Sequence, residues 1–155
     1  AYEIRNCDWS SDVCSSDLQT AFDFWIGEWT VQTVDGNLAG HNSIVKIQDG
    51  CVIQENWSSA RAGYTGTSYN FFNSNSGQWE QIWVDNQGLV LHLKGTRIGN
   101  QMILKSDPVV NKEGASVVQQ ITWTSNDDGT VRQLWESLTN GEANILFDGL
   151  YKKEE

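Results

Sequence analysis

The stretch Phe22-Asp-Phe-Trp-Ile-Gly-Glu-Trp-Thr-Val31 marks where regular alternation of apolar and polar positions begins, and that alternation decides the fold. It packs four aromatic rings and a Gly27-x-Trp29 pair into ten residues. From Gly27 onward, Trp29, Val31 and Thr33 alternate with Thr30 and Gln32, a period of two that reads as a half-buried strand. Asp35-Gly36 then closes the run with a tight-turn signal.

The rest of the chain repeats that unit, a short alternating run followed by a turn rich in Gly, Asn and Asp. Leu38 to Ile47 leads into Gln48-Asp49-Gly50, and Cys51 to Trp57 returns. A three-residue loop ending in Gly predicts a type I turn with a Gly bulge. That register sets Ile47 against Cys51, Val45 against Ile53, Ser43 against Glu55 and His41 against Trp57, all on one face. Around Asn73-Ser-Asn-Ser-Gly77, a five-residue loop sets Phe71 against Trp79, Tyr69 against Gln81 and Thr67 against Trp83. Leu89, Leu91 and Leu93 continue the apolar face, as do Met102 and Leu104 in a short run over 101–106. Asp107 to Ala115 holds the only Pro and is the one long irregular stretch, expected as a mobile loop. In the last third, Trp123 is predicted to face Val131 and Ile121 to face Gln133. Asn140-Gly141 then turns the chain into Ile145, Phe147, Gly149 and Tyr151.

Apart from Phe22 to Ile26, a short N-terminal helical turn, no window longer than a turn or two carries a helical period. About ten consecutive antiparallel strands with one apolar face would leave two unpaired edges, and closing the sheet removes them. The expected fold is all-β, a single up-and-down antiparallel barrel wide enough to hold a small ligand. A β-sandwich fits less well, because its Greek-key crossovers need longer connections than these turns.

Composition bounds the function. A chain of 155 residues is one domain by size, and eight Trp against a single Met favour pleated, half-buried surfaces. The net charge of -10, with no basic cluster longer than Lys152-Lys153, argues against a nucleic-acid partner. No apolar run reaches the roughly 18 to 20 residues of a membrane helix, so no membrane span is expected.

Residues 1–18 share no periodicity with the rest of the chain. Cys7-Asp-Trp-Ser-Ser-Asp-Val-Cys-Ser-Ser-Asp-Leu18 resembles the translation of a sequencing adapter found at the ends of assembled environmental contigs. The expected organisation is therefore a non-native or disordered segment over 1–18 and a β-barrel domain over 19–155, with a Ser/Asp-rich tail or a Cys7–Cys14 disulfide as alternatives. Without that segment Cys51 is the sole cysteine, expected as a small buried hydrophobe, and neither redox compartment nor localisation is readable.

The predicted inner face carries Trp57, Tyr69, Trp83, Trp123, Trp135, Phe147 and Tyr151 beside His41, Glu55, Gln81, Gln119 and Gln133. Rings with a few polar groups are the makings of a small-molecule pocket for an apolar or aromatic ligand. The alternative is a barrel filled by its own side chains, although three buried glutamines are costly in a dry core. Glu55 inside a barrel should have its pKa raised by desolvation, which makes it a candidate general acid or base with His41 or Tyr69 as partner. A register slip of one residue would instead put Glu55 in water. His92 reads as exposed, and Arg132 with Glu136 as a surface ion pair. Two histidines fall short of a three-ligand zinc site unless Glu55 joins them, so no metal and no cofactor is expected.

Five runs resemble a bacterial family of uncharacterised barrels, DUF1579: Phe22 to Trp29, Asp49 to Trp57, Trp79-x-Gln-x-Trp-Val-Asp85, Val131 to Glu136 and Phe147 to Tyr151. They occur in order across residues 19–155. The resemblance implies a lipocalin-like (calycin) barrel with no settled activity. Gly27-x-Trp29 is also similar to the lipocalin motif whose Trp plugs one barrel end. Haem-binding barrels of the nitrobindin type are similar in outline but use a late-strand His, whereas the histidines here are His41 and His92, so haem is not expected. Three functions remain open: a ligand-binding barrel; a cofactor-free lyase, isomerase or cyclase using Glu55; and a filled structural or interaction domain.

Overall fold

The computed structural model describes residues 14–155; the expectations for 1–13, including a Cys7 pairing, lie outside the described residues. A 3-10 turn, Asp23–Trp25, precedes β1 (Gly27–Thr33) and β2 (Leu38–Ile47); a second, Gln48–Gly50, leads to β3 (Val52–Ser59). The chain continues through β4 (Thr65–Asn73), β5 (Gln78–Asp85), β6 (Val90–Ile98), β7 (Gln101–Ser106), β8 (Val109–Val110), β9 (Ser116–Ser125), β10 (Val131–Thr139) and β11 (Glu142–Lys153). Ten of these strands form a closed antiparallel barrel, each paired to the next along the chain except that β7 pairs with β9. Pairing of β1 with β11, from Trp29 against Lys153 to Thr33 against Gly149, completes the ring. The expected stretch of irregular chain at Asp107–Ala115 instead contains β8, a two-residue strand lying on the start of β9 and closed by an Asn111 turn.

The apolar faces of β1, β3, β5, β6, β7 and β9 point inward as their alternation predicts, from Trp29 and Val31 round to Ile121 and Trp123. Two strands are turned over. The β2–β3 turn holds four residues, since Gln48 and Asp49 both take left-handed backbone (φ 53° and 55°), Gly50 follows at 86°, and the Cys51 N–H donates back to the Gln48 carbonyl. Cys51 is thus part of the turn, and Ile44 lies against Glu55, Asn42 against Trp57 and His41 against Ser58. The β4–β5 turn is also four residues. Asn73 stays paired with Gln78 while its side-chain oxygen accepts the Asn75 N–H and its carbonyl accepts the Gly77 N–H. Phe72 therefore faces Trp79, Asn70 faces Gln81 and Ser68 faces Trp83. A slip of one residue sends every side chain of a strand to the other face. The β9–β10 turn is off by two residues instead, so Trp123 meets Gln133 and Ile121 meets Trp135, and the inward face is preserved. A bulge opposite Trp135 and Glu136 leaves Leu146 as the extra residue of β11.

One end of the barrel is shut. Phe22 and Trp25 are fully buried, Trp25 stacks on Phe22 at 4.8 Å and lies 4.1 Å from the Trp123 ring, and the Trp29 indole donates to the Trp25 carbonyl at 2.8 Å. The Trp79 indole N–H donates to the Leu18 carbonyl at 2.8 Å on the same side. Cys51, expected as a lone buried thiol, is disulfide-bonded to Cys14. The other end carries the turns at 34–37, 60–64, 86–89 and 140–141.

Candidate functional site: a cavity in the open half of the barrel

Above the aromatic floor the barrel is hollow. A cavity of about 240 Å3 opens toward the end with the 60–64 and 140–141 turns. Its walls are Trp57, Trp83, Leu91, Ile121, Trp123, Trp135, Leu146 and Phe147, and its polar groups are Glu55, Ser59, Tyr64, Gln81, Gln133 and Tyr151. The hollow depends on residues without side chains. A Cβ at Gly40 would collide with the Trp57 ring, one at Gly66 with the Trp83 ring, and one at Gly149 with the Phe147 ring. These three rings therefore lie back against the barrel wall rather than crossing the interior.

The inner ends of β2, β3, β4, β5, β10 and β11 supply a connected polar network. Gln81 donates through Nε2 to Asn70 Oδ1 (2.7 Å), Asn70 through Nδ2 to Ser68 Oγ (2.8 Å), and Ser68 through Oγ to Glu55 Oε2 (2.5 Å). From the other side Asn42 Nδ2 donates to Glu55 Oε1 (2.8 Å) and to the Tyr151 hydroxyl (3.0 Å), which in turn donates to Gln133 Oε1 (2.7 Å). Asn42 Oδ1 is buried without a partner among the described residues. Burial disfavours the charged form of Glu55 and pushes its carboxyl up to about 7, against the opposing pull of hydrogen bonds from Ser68 and Asn42. The Tyr151 hydroxyl is raised well above its usual range by burial, and then by the Glu55 charge. At the mouth, Tyr64 donates to Asp85 Oδ2 at 2.9 Å, and burial together with that bond pushes it up to about 12.

Nine of the residues singled out from sequence line this cavity: Glu55, Trp57, Gln81, Trp83, Trp123, Gln133, Trp135, Phe147 and Tyr151. Gln119 holds one of its walls, its Oε1 accepting the Trp135 indole N–H at 2.7 Å. Tyr69 and His41 are misplaced by the two register slips and belong to the outer face. Tyr69 is 43% exposed, and His41 is exposed with Nδ1 2.6 Å from Glu154 Oε1, so neither can assist Glu55. Their places inside are taken by Asn42, Ser68 and Asn70. These three carry no apolar signal, and only the corrected turn lengths reveal them. Arg132 forms a two-pronged pair with Asp148 across β10 and β11, at 2.9 and 2.6 Å, rather than with Glu136. On the outer wall His92 is exposed, and its Nε2 lies 2.7 Å from Glu80, a carboxylate only 7% exposed that Asn73 also caps and thereby holds below its usual range.

Among the described residues, no group of three or more His, Cys, Asp or Glu is arranged to hold a metal ion. Comparison of the chain with protein-family models and with curated protein sequences returns no match.

Proposed function

We propose that the barrel binds a small apolar or aromatic molecule, clasped between the Trp57, Trp83, Trp135 and Phe147 rings and oriented by Gln81, Gln133 and Glu55. The hollow of about 240 Å3 carries this reading, because a barrel with a purely structural role would be filled by its own rings. The polar network adds to it. Every member is held by a neighbour in the barrel wall, so the groups that face the hollow are fixed before any ligand arrives. Membership of the DUF1579-like, lipocalin-like barrels belongs to the same proposal and rests on the five sequence runs. Quenching of tryptophan fluorescence by a panel of neutral aromatic compounds tests it. The expected result is saturable quenching that is weakened in Trp83→Ala or Trp135→Ala proteins with unchanged far-ultraviolet dichroism. A panel that quenches nothing sinks the proposal.

A second reading is favoured by one observation, the Glu55 carboxyl raised to about 7 on the cavity wall. A group poised near neutral pH can take and return a proton, so a cofactor-free lyase, isomerase or cyclase is the enzymatic alternative. Glu55 would act without His41 or Tyr69. The Glu55→Gln protein separates the two readings: an enzyme loses its activity with its fold intact, whereas a carrier still takes up a neutral ligand.

A further inference from the structure

The cavity is electrostatically one-sided. Among the described residues, neither Lys, Arg nor His lines it, and the ionisable groups that do are Glu55, Tyr64 and Tyr151. Around Glu55, β2 contributes Asn42, β4 contributes Ser68 and β11 contributes Tyr151, none of them positively charged. The charges that act on Tyr64 at the mouth are Asp85, already bonded to it, Glu55, and Arg61 on the exposed 60–64 turn. A carboxylate with no counter-charge in a low-dielectric interior is costly. Each Glu55 oxygen accepts one hydrogen bond from the protein and keeps capacity for another. The walls above it are indole rings, whose negative π faces attract cations.

From this arrangement we infer that the natural ligand carries a protonated amine, seated on Glu55 with its apolar or aromatic body among the indoles of Trp57, Trp83 and Trp135. The inference rests on the binding-barrel reading and narrows it. The same cavity disfavours carboxylate and phosphate ligands, for which it offers an uncompensated negative charge and no cation. Binding is then linked to protons. The empty site holds Glu55 largely protonated at mildly acidic pH, so an ammonium ligand must displace a proton there but not at higher pH. An alkylammonium keeps its own charge throughout that range.

The test is a calorimetric titration of the whole chain with three matched compounds, phenethylamine, phenethyl alcohol and hydrocinnamate, at about pH 5.5 and about pH 8. At the higher pH the amine is expected to bind at least about tenfold more tightly than the alcohol, with the carboxylate weakest. That preference shrinks at the lower pH, and Glu55→Gln abolishes it while the alcohol still binds. The pH arm uses the unmodified protein, so the outcome does not depend on the variant folding. Equal or tighter binding of the alcohol at the higher pH, or an amine preference that survives Glu55→Gln, overturns the inference and leaves the binding barrel standing. Failure of all three compounds to bind overturns the binding barrel and the inference with it.

Discussion

The two ends of this barrel are built from the same residue and put it to opposite uses. At the shut end Trp25, Trp29 and Trp79 are at most 4% exposed, packed against Phe22 and against Trp123 and Tyr151, which also form the floor of the cavity, at ring-centre distances of 4.1 to 6.0 Å. At the open end Trp57, Trp83 and Trp135 are only half-buried, and the rings line empty space. Rings that touch one another on all sides stabilise the fold by the water they exclude and the contacts they gain. Rings that face a hollow have left much of that gain unrealised, and it becomes available to a ligand. Under the proposed function, the packed end supplies stability and the hollow end recognition.

The contrast breaks most easily at the plug. Trp25→Ala should cost about 3 to 5 kcal/mol of stability by denaturant titration, in the range for large-to-small changes in a packed core. If it costs no more than Trp135→Ala, the division between the ends is wrong. The next effect belongs to Glu55. A carboxyl whose folded pKa lies near 7 and whose unfolded value is 4.5 binds an extra proton in the native state between those values, so stability should fall as pH rises through that window. The loss is on the order of 3 kcal/mol, and in Glu55→Gln the slope should vanish, leaving the variant more stable than the parent at mildly alkaline pH. Thermal melts of both proteins across the window check this, and a parent curve that stays level would refute the burial argument. Below that window the paired acids Glu80 and Asp148, whose pKa values are lowered by Asn73 and Arg132, act in the opposite sense and lose stability as pH falls.

Smaller effects come from the open end. Trp83→Ala should lower ligand affinity by about tenfold or more, equivalent to roughly 1.4 kcal/mol, while moving the denaturation midpoint less than Trp25→Ala does. Smallest of all should be the effect on binding of a chain starting at Gln19. The described part of the segment it removes, residues 14–18, touches the barrel at the shut end, through Cys14 on Cys51 and the Leu18 carbonyl on Trp79. Unchanged affinity in that protein supports 19–155 as the functional domain, and a lost affinity would show that the two ends are coupled.

The barrel was legible because alternation and turn chemistry are local properties, printed residue by residue from Trp29 to Tyr151. The inward position of Glu55 was legible for the same reason, since Ile53 and Trp57 flank it in phase. What could not be read was the length of two turns. Nothing in Gln48-Asp49-Gly50-Cys51 announces that two residues other than glycine take left-handed backbone, and Asn73 reads equally well as strand or as turn. One residue of turn length decides which face of β2 and β4 is inside, so the error fell on those strands alone and moved His41 and Tyr69 outward. The polar partners of Glu55 were hidden by their chemistry. Asn42, Ser68 and Asn70 are residue types that sequence reasoning sends to solvent, and their burial makes sense only beside the carboxyl they serve.

Gly40, Gly66 and Gly149 give the cavity an adjustable size. Each withholds one methyl group, and each withheld methyl lets one ring recline against the wall. A methyl at Gly66 would press on the Trp83 ring alone and one at Gly149 on the Phe147 ring and Val31, whereas one at Gly40 would also meet the Ser58 carbonyl and so strain the β2–β3 backbone. The shape of the hollow is thus set one carbon at a time, most freely at Gly66, where only a ring stands in the way.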